Sequence, residues 1–490
     1  MKYCKFKVAF IGAGSISYTA KMVYDILSVP EFTKVDIVFQ DIDGDRADRT
    51  RDICQEIIDE NGLDIKIKST TDRVEAVKNA KYIFNSIKVG GNRAWEYDMH
   101  IPLSYGIDQC VGDTLGTAGI MYGARMIPVV LDLCKDIKEY SHPEALLINV
   151  SNPMTVVTWA ATKYGGVNTV GLCHGVWLGH NQFAGVLDMD INDIHISALG
   201  VNHMGFYTTV KTLEGKDLRP LLPEAYAKHP RYSTMEPVRR DMMKWFGDYC
   251  TESNGHTTDM VPWYRNNLDK ITPWVSWNNA FCGETNGYLN WNRIEQERVL
   301  KDPSLLLAES GGRKYDYNNR SVEHASFIME GIELNKIYRG HLNVPNNGAL
   351  TFLEDDVVVE VPCYVDVHGI NTPRYGRMDL AQEEVIRRIA VVNRLVLESS
   401  VQKDLSMLYQ AMLLDPLTGA RLGSREIGQM TDELIIAEAA WLPQYATFVD
   451  GAKERIAKAK ADGTYFPTNP DFQGVAQRDI ENNPFLDPEW

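Results

Sequence analysis

The sequence predicts an α/β fold: a doubly wound parallel sheet in residues 1–190, followed by an α+β second half in residues 191–490. Three observations carry that prediction. Short apolar runs alternate with amphipathic stretches through the first half, and the first run opens directly into a glycine loop. Past about residue 190 the alternation gives way to sheet-like and then helical patterning. Strand–helix alternation of this kind belongs to a parallel sheet with helices on both faces.

Lys7–Ile11 is a continuous apolar run, as a strand covered on both sides requires. Ser17–Leu27 then carries apolar residues at helical spacing, and Val35–Phe39 is a second strand that ends at Asp41. Arg46–Glu60 reads as helix and closes on Asn61-Gly62, a C-cap pair. Asp72–Asn79 reads as helix and Lys81–Ile87 as strand. Gly119–Tyr140 is a long amphipathic helix leading into the strand Ala145–Val150, and the helix Met154–Tyr164 precedes the strand Thr169–Cys173. The connections are expected to be right-handed crossovers. In the second half, Ile194–Val210 alternates as sheet, with a polar interruption at Asn202-His203. Residues 214–320 are rich in Trp, Tyr, Asn and charge, and read as helical excursions and loops around a site. Asp355–Val367 is a strand that Pro362 assigns to an edge or a bulge. Leu380–Ile456 is predominantly helical.

Composition excludes several classes. At 490 residues, 44% hydrophobic and 24% charged, the chain is neither disordered, nor collagen-like, nor a disulfide-dense miniprotein. Fifty basic against 66 acidic residues give a net charge of −16, so nucleic acid is not an expected partner. No continuous apolar run reaches the ~18–20 residues that span a bilayer, so no membrane partner is expected either. The opening apolar run is too short for a signal peptide and passes straight into the glycine loop, which points to a cytoplasmic protein. Eight cysteines without a CxxC pair read as buried thiols, with one ligand or nucleophile among them.

The loop Gly12-Ala13-Gly14-Ser15-Ile16-Ser17 lies between a strand and a helix. Gly12 permits the tight turn, Gly14 lets a pyrophosphate approach the backbone, Ser15 lies in the same cofactor loop, and the helix N-terminus that follows offers free N–H groups. Ser17 replaces the third glycine of the full Rossmann fingerprint. Asp41, at the end of the second strand, suits the adenosine ribose hydroxyls and repels a 2′-phosphate, so NAD is favoured over NADP. The plainer alternatives are an ordinary glycine turn and an aspartate that caps the next helix.

Three further motifs fall near strand ends, where open α/β sheets bind ligands: Asn149-Val150-Ser151-Asn152-Pro153-Met154, Cys173-His174-Gly175-Val176 and Gly200-Val201-Asn202-His203-Met204. A thiolate and an imidazole meeting there hold a divalent metal, or else form a buried thiol with hydrogen-bonded histidines. An NAD-dependent 2-hydroxy acid dehydrogenase needs a histidine base and carboxylate-gripping arginines, and these motifs offer a different set.

With IGAGS, Asp41-Ile42-Asp43, Val89-Gly90-Gly91, Asp113-Thr114-Leu115-Gly116, VEVPCYVD, Met412–Asp415 and Trp441-Leu442-Pro443 in the same order, the chain resembles glycoside hydrolase family 4, most closely its α-galactosidase branch. The resemblance covers nearly the whole chain. It implies a lactate/malate dehydrogenase-like fold with a Rossmann-like N-terminal half, and bound NAD and Mn²⁺ or another divalent transition metal. It also implies a homodimer or homotetramer. The implied route to hydrolysis is redox: oxidation at C3 of the sugar, loss of the C2 proton, elimination of the C1 leaving group, water addition and re-reduction. It makes Cys173 and His203 the metal ligands, Asn149 a contact of the cofactor ribose and Asn152 a contact of the substrate. His174, next to the metal cysteine, becomes the general acid or an orienting residue. Asp113 becomes a residue that raises the basicity of the catalytic base. His256 stands where several members have a tyrosine base, with Asp259 close behind, and is either the base or a metal-shell or substrate contact.

The Cys-His pair, in place of the Cys-Asn or Cys-Asp of phosphosugar branches, implies an unphosphorylated α-galactoside or α-glucoside. A uronide is the main rival. Gly175 is expected to open room for either C4 epimer or a larger C6 group. Trp263, Tyr264, Trp274 and Trp277 are stacking platforms or core residues. A simple dehydrogenase and an NAD-binding sensor without chemistry are the competing classes. Metal-dependent cleavage of an aryl α-glycoside without NADH accumulation separates all three.

Overall fold

A computed structural model of the chain describes residues 3–276, 283–301 and 313–477. Eleven strands form one sheet: β1 (Lys7–Ile11), β2 (Asp36–Gln40), β3 (Lys68–Thr70), β4 (Tyr82–Asn85), β5 (Leu146–Asn149), β6 (Thr169–Gly171), β7 (Ile194–Val201), β8 (Met204–Thr212), β9 (Tyr338–Pro345), β10 (Val358–Asp366) and β11 (Gly369–Asn371). Their order is β3-β2-β1-β4-β5-β6-β9-β10-β7-β8, with β11 paired to β10. The six strands from β3 to β6 are parallel. Everything beyond β6 is antiparallel.

The apolar runs follow from burial on two faces. Successive side chains of a strand point to opposite sides. Val8 and Phe10 accordingly join one core cluster, and Ala9 and Ile11 another; Phe84 and Ile83 divide in the same way. Phe10 stacks on Phe84 across the pair, with ring centroids 4.5 Å apart. Each such buried side chain contributes about 1.5–3 kcal/mol. The expected first-half elements lie within a few residues of their observed limits, and β3 is an additional short edge strand.

The α+β second half completes this same sheet rather than building a separate one. One core cluster accordingly holds Phe10, Val361 and Ile386 together. The expected edge position of Pro362 is corrected: β10 is an interior strand. It pairs with β9 along its length, and on its other side with β7 at Glu360 and β11 at Tyr364–Asp366. Pro362 falls between those last two pairings, where its missing N–H costs no ladder bond. The Asn202-His203 interruption is the turn of the β7–β8 hairpin.

The helix Gly116–Tyr140 is by length and composition the one described helix able to cross a membrane. Of its most apolar window, 78% is buried inside the molecule, as in a core helix. Its Arg125 forms a buried ion pair with Asp98, and a very short one with Glu438, locking three segments together.

Candidate active site

Chain order reverses between β1 and β4, so the crevice beyond their carboxyl ends is the place for a ligand. The glycine loop sits there. Gly12 and Ala13 both donate to the Gln40 carbonyl, at 2.8 and 2.9 Å. Gly12 has φ +86°, and a Cβ on it would lie 2.8 Å from the Ser86 backbone. A Cβ on Gly14 would lie 2.6 Å from Asp41 Oδ2, which accepts the Gly14 N–H at 2.9 Å. Asp43 N donates to the other Asp41 oxygen at 3.0 Å, so Asp41 staples the loop. Exposed Ser15 is the N-cap of the helix Ile16–Leu27 and makes no side-chain cap bond. The first N–H groups of that helix therefore have no capping oxygen from Ser15.

Asn149 is fully buried: its Oδ1 accepts from Asn85 Nδ2 at 2.8 Å and Ser151 N at 3.2 Å. Its Nδ2 donates to the Ser151 carbonyl at 3.0 Å and Thr158 Oγ1 at 3.2 Å. With its amide engaged on both sides inside the sheet, Asn149 positions the strand-end loop.

Cys173 follows β6 and immediately precedes the helix Gly175–Leu187, whose Gly175 N–H donates to its Sγ at 3.4 Å. His203 arrives from the β7–β8 turn in the left-handed conformation, φ +64°. Its Nε2 lies 3.3 Å from Cys173 Sγ, and Glu252 Oε1 is 3.6 Å from that sulfur and 3.8 Å from Nε2. Burial, opposed chiefly by Glu252, lowers His203 to about 4, which keeps the imidazole neutral. Thr114 Oγ1 fixes the other ring nitrogen at 2.5 Å and donates to Asp113 Oδ1 at 2.7 Å. A partner on the far nitrogen is what orients a metal-binding histidine.

The helix Asn254–Met260 presents His256 with its ring 4.3 Å from that of His203. His256 Nε2 lies 3.6 Å from Asp113 Oδ1, and Nδ1 contacts Ser253 Oγ at 2.8 Å. Burial opposes a charge on His256, but Asp113 outweighs it and pushes the imidazole up to about 9. Reciprocally, burial would raise Asp113, yet His256 and His203 hold its carboxyl well below the usual range. Asn152 Nδ2 donates to Asp113 Oδ2 at 2.6 Å. Asp259 accepts the N–H groups of Cys110, Val111 and Gly112 at 2.8–3.2 Å, so it builds the loop that carries Asp113. His174 is 49% exposed and pairs with buried Glu323 at 3.2 Å; Glu323 overcomes the desolvation that disfavours its charge and raises its pKa.

Gly175 does not open room for a sugar. The Glu252 carboxylate occupies the space its Cβ would take, 1.4 Å away. Trp263 turns to an apolar surface groove with Phe246 and Leu413, while Tyr264 is buried against Trp274. Trp277 lies outside the described residues. Sequence reasoning passed over Glu252, Glu323 and Lys88, although Glu252 falls in a segment already singled out. Lys88 Nζ lies 3.2 Å from the centroid of the Trp95 ring, with no hydrogen-bond acceptor or ion pair among the described residues. Burial lowers it to about 7 against the pull of Asp113 and Asp98.

The chain matches the family models for family 4 glycosyl hydrolases over residues 7–189 and for their C-terminal domain over residues 198–418. It is 40% identical over 484 residues to an α-galactosidase of Rhizobium meliloti (strain 1021), covering 97% of this chain and 96% of that one. It is 31% identical over 447 residues to an α-galactosidase of Bacillus subtilis (strain 168), covering 90% and 99%. A 6-phospho-β-glucosidase from Thermotoga maritima, solved with manganese, NAD+ and glucose-6-phosphate, shares the fold. Its TM-score is 0.72 at 22% identity, covering 89% of this chain and 99% of that one. Both halves of the chain match: the protein belongs to glycosyl hydrolase family 4.

Proposed function

We propose that the protein is an α-glycosidase that cleaves unphosphorylated α-galactosides or α-glucosides, with NAD and a divalent cation as resident cofactors. The observation that carries this reading is the meeting of Cys173 and His203, 3.3 Å apart, beside the His256–Asp113 pair. Thiolate and imidazole at that spacing fit one shared Mn²⁺-class ion. The cradle at Gly12 and Gly14 and the open helix start at Ser15 fit a dinucleotide pyrophosphate, with Asp41 beside the ribose of NAD. When bound, these groups supply a reversible hydride acceptor and a Lewis acid.

The chain's own residues handle protons and position. His256, in the neutral form that gains population as pH rises toward about 9, takes the proton from C2 of the sugar, and Asp113 stabilises the imidazolium that results. Asn152, bonded to Asp113, orients the sugar hydroxyls. His174, whose charged form Glu323 favours, donates to the departing glycosidic oxygen.

Hydrolysis of an aryl α-glycoside in D₂O tests the reading. Deuterium is expected at C2 of the released sugar, with dependence on Mn²⁺ and NAD and without net NADH. A product carrying only protium at C2 sinks the elimination route, since direct displacement never breaks that bond. Stoichiometric NADH from a hydroxy acid would instead establish a dehydrogenase.

A uronide is the second reading, and Lys88 favours it. An unpaired, largely enclosed ammonium beside the site suits a substrate carboxylate. Aryl α-galacturonide turning over faster than aryl α-galactoside, with the order reversed by Lys88→Met, would establish it. A cytoplasmic setting fits the seven described cysteines, all of them free thiols. A homodimer or homotetramer fits the preference for closed symmetry.

A further inference from the structure

We propose that Glu252 is a third protein ligand of the cation held by Cys173 and His203, and that residue 175 is glycine because this carboxylate takes the place of its side chain. The inference rests on the metal-dependent reading above and adds to it a ligand and the residue that admits it. Cys173 Sγ, His203 Nε2 and Glu252 Oε1 stand 3.3, 3.6 and 3.8 Å from one another. Ligand atoms placed tetrahedrally about one Zn²⁺-sized ion at ~2.0–2.3 Å are separated by about 3.3–3.8 Å. All three distances fall in that interval, so the three atoms can share one divalent transition-metal ion. Sulfur, neutral imidazole and carboxylate also balance a divalent charge, and the oxygen draws the site toward manganese and away from purely soft metals.

Glu252 is held for this task. It is buried, and its second oxygen accepts the Ser253 N–H at 3.2 Å and faces His256 Nδ1 at 3.5 Å, which turns Oε1 toward the sulfur. Among the described residues it pairs with His203 and His256.

Gly175 supplies the second, independent observation. It opens the helix Gly175–Leu187 with a backbone conformation open to any residue, so no turn demands glycine there. A Cβ would lie 1.4 Å from Glu252 Oε1 and 2.4 Å from its Cδ. The requirement for glycine is therefore the carboxylate itself.

Direct cation binding to the NAD-loaded enzyme tests this. Mn²⁺ is titrated against wild type, Glu252→Gln, Gly175→Ala and the double variant, following the loss of the free-ion EPR signal. Co²⁺ is then substituted, and its visible bands and thiolate charge-transfer band are recorded. Glu252→Gln keeps size and shape, and is expected to weaken Mn²⁺ binding at least tenfold. The Co²⁺ thiolate band should persist while the d–d bands change, since Cys173 stays bound and one oxygen ligand is lost. Gly175→Ala should weaken binding similarly, and the double variant no further, because both changes remove the same carboxylate. Wild type that binds Mn²⁺ while Glu252→Gln binds it equally well, with unaltered d–d bands, overturns this inference alone. Wild type that binds neither ion overturns the metal reading together with it. If Gly175→Ala fails to fold, the comparison of wild type with Glu252→Gln still decides.

Discussion

Cys173 is the side chain whose loss separates the chemistry of the site from its architecture. Cys173→Ser offers a hydroxyl where a thiolate is needed, so turnover and metal content should fall together while NAD binding and the fold remain. Full activity in a metal-free serine variant would remove the metal from the mechanism. Asp41→Ala should weaken NAD by about ten- to a hundredfold, the worth of a charge-assisted hydrogen bond, in a fluorescence titration. An unchanged dissociation constant would leave Asp41 as a staple of the Gly14 and Asp43 N–H groups. Legibility at this scale followed residue type. Cys173 and His203 stood out because thiols and imidazoles are scarce and these fall near strand ends, whereas Asp113 and His256 were marked only by the family resemblance; the structure draws the four into two groups that share His203. Glu252 and Glu323 did not stand out, because one acid among 66 acidic residues carries no positional signal. Asn149 has no single reading from sequence, because an asparagine ending a strand looks the same facing a ligand or facing Asn85.

Elements were legible where burial imposes a strict period, as in β1, β4 and β5, and obscure where glycine dilutes the pattern. The helix Gly175–Leu187 contains Gly175, Gly179 and Gly185, and its helical propensity is correspondingly low. Gly179 is there because a Cβ would lie 2.1 Å from Tyr207 Oη, which donates to the Val176 carbonyl at 2.7 Å. Gly179→Ala should therefore destabilise by about 1–3 kcal/mol in urea melts, although alanine is the better helix former. A stabilised variant would show that Tyr207 moves freely aside. The helix Ile16–Leu27 behind the nucleotide loop carries buried Asp25, which accepts the Ser321 N–H at 2.7 Å. Burial, opposed by Ser321, raises its carboxyl to about 6 from 3.8. The folded state thus binds a proton more tightly than the unfolded state does. This group adds stability as pH falls through about 6 and removes it as pH rises, by up to about 3 kcal/mol in all. Asp25→Asn lacks that slope, so its stability relative to wild type should grow from pH 5 to pH 7. A difference that stays constant with pH would mean Asp25 is no such group.

The whole molecule is one sheet whose parallel part was legible and whose antiparallel continuation was not, because β9 and β10 come from residues far along the chain that insert beside β6. A fragment of residues 1–190 would expose the β6 edge and half of a shared core, so it should aggregate rather than bind NAD. A monomeric, NAD-binding fragment would show that the first half folds alone. The same strand order sets Cys173 and His203 on opposite banks of the join, with β9 and β10 running between β6 and β7. An ion gripped by both is then a rivet across the seam, and pulling the banks apart means breaking its bonds. Heat should expose this: at a hundredfold excess over its dissociation constant, Mn²⁺ adds about 2.7 kcal/mol to the folded state. The melting temperature should climb with the logarithm of free metal and drop on chelation, whether or not any sugar is present.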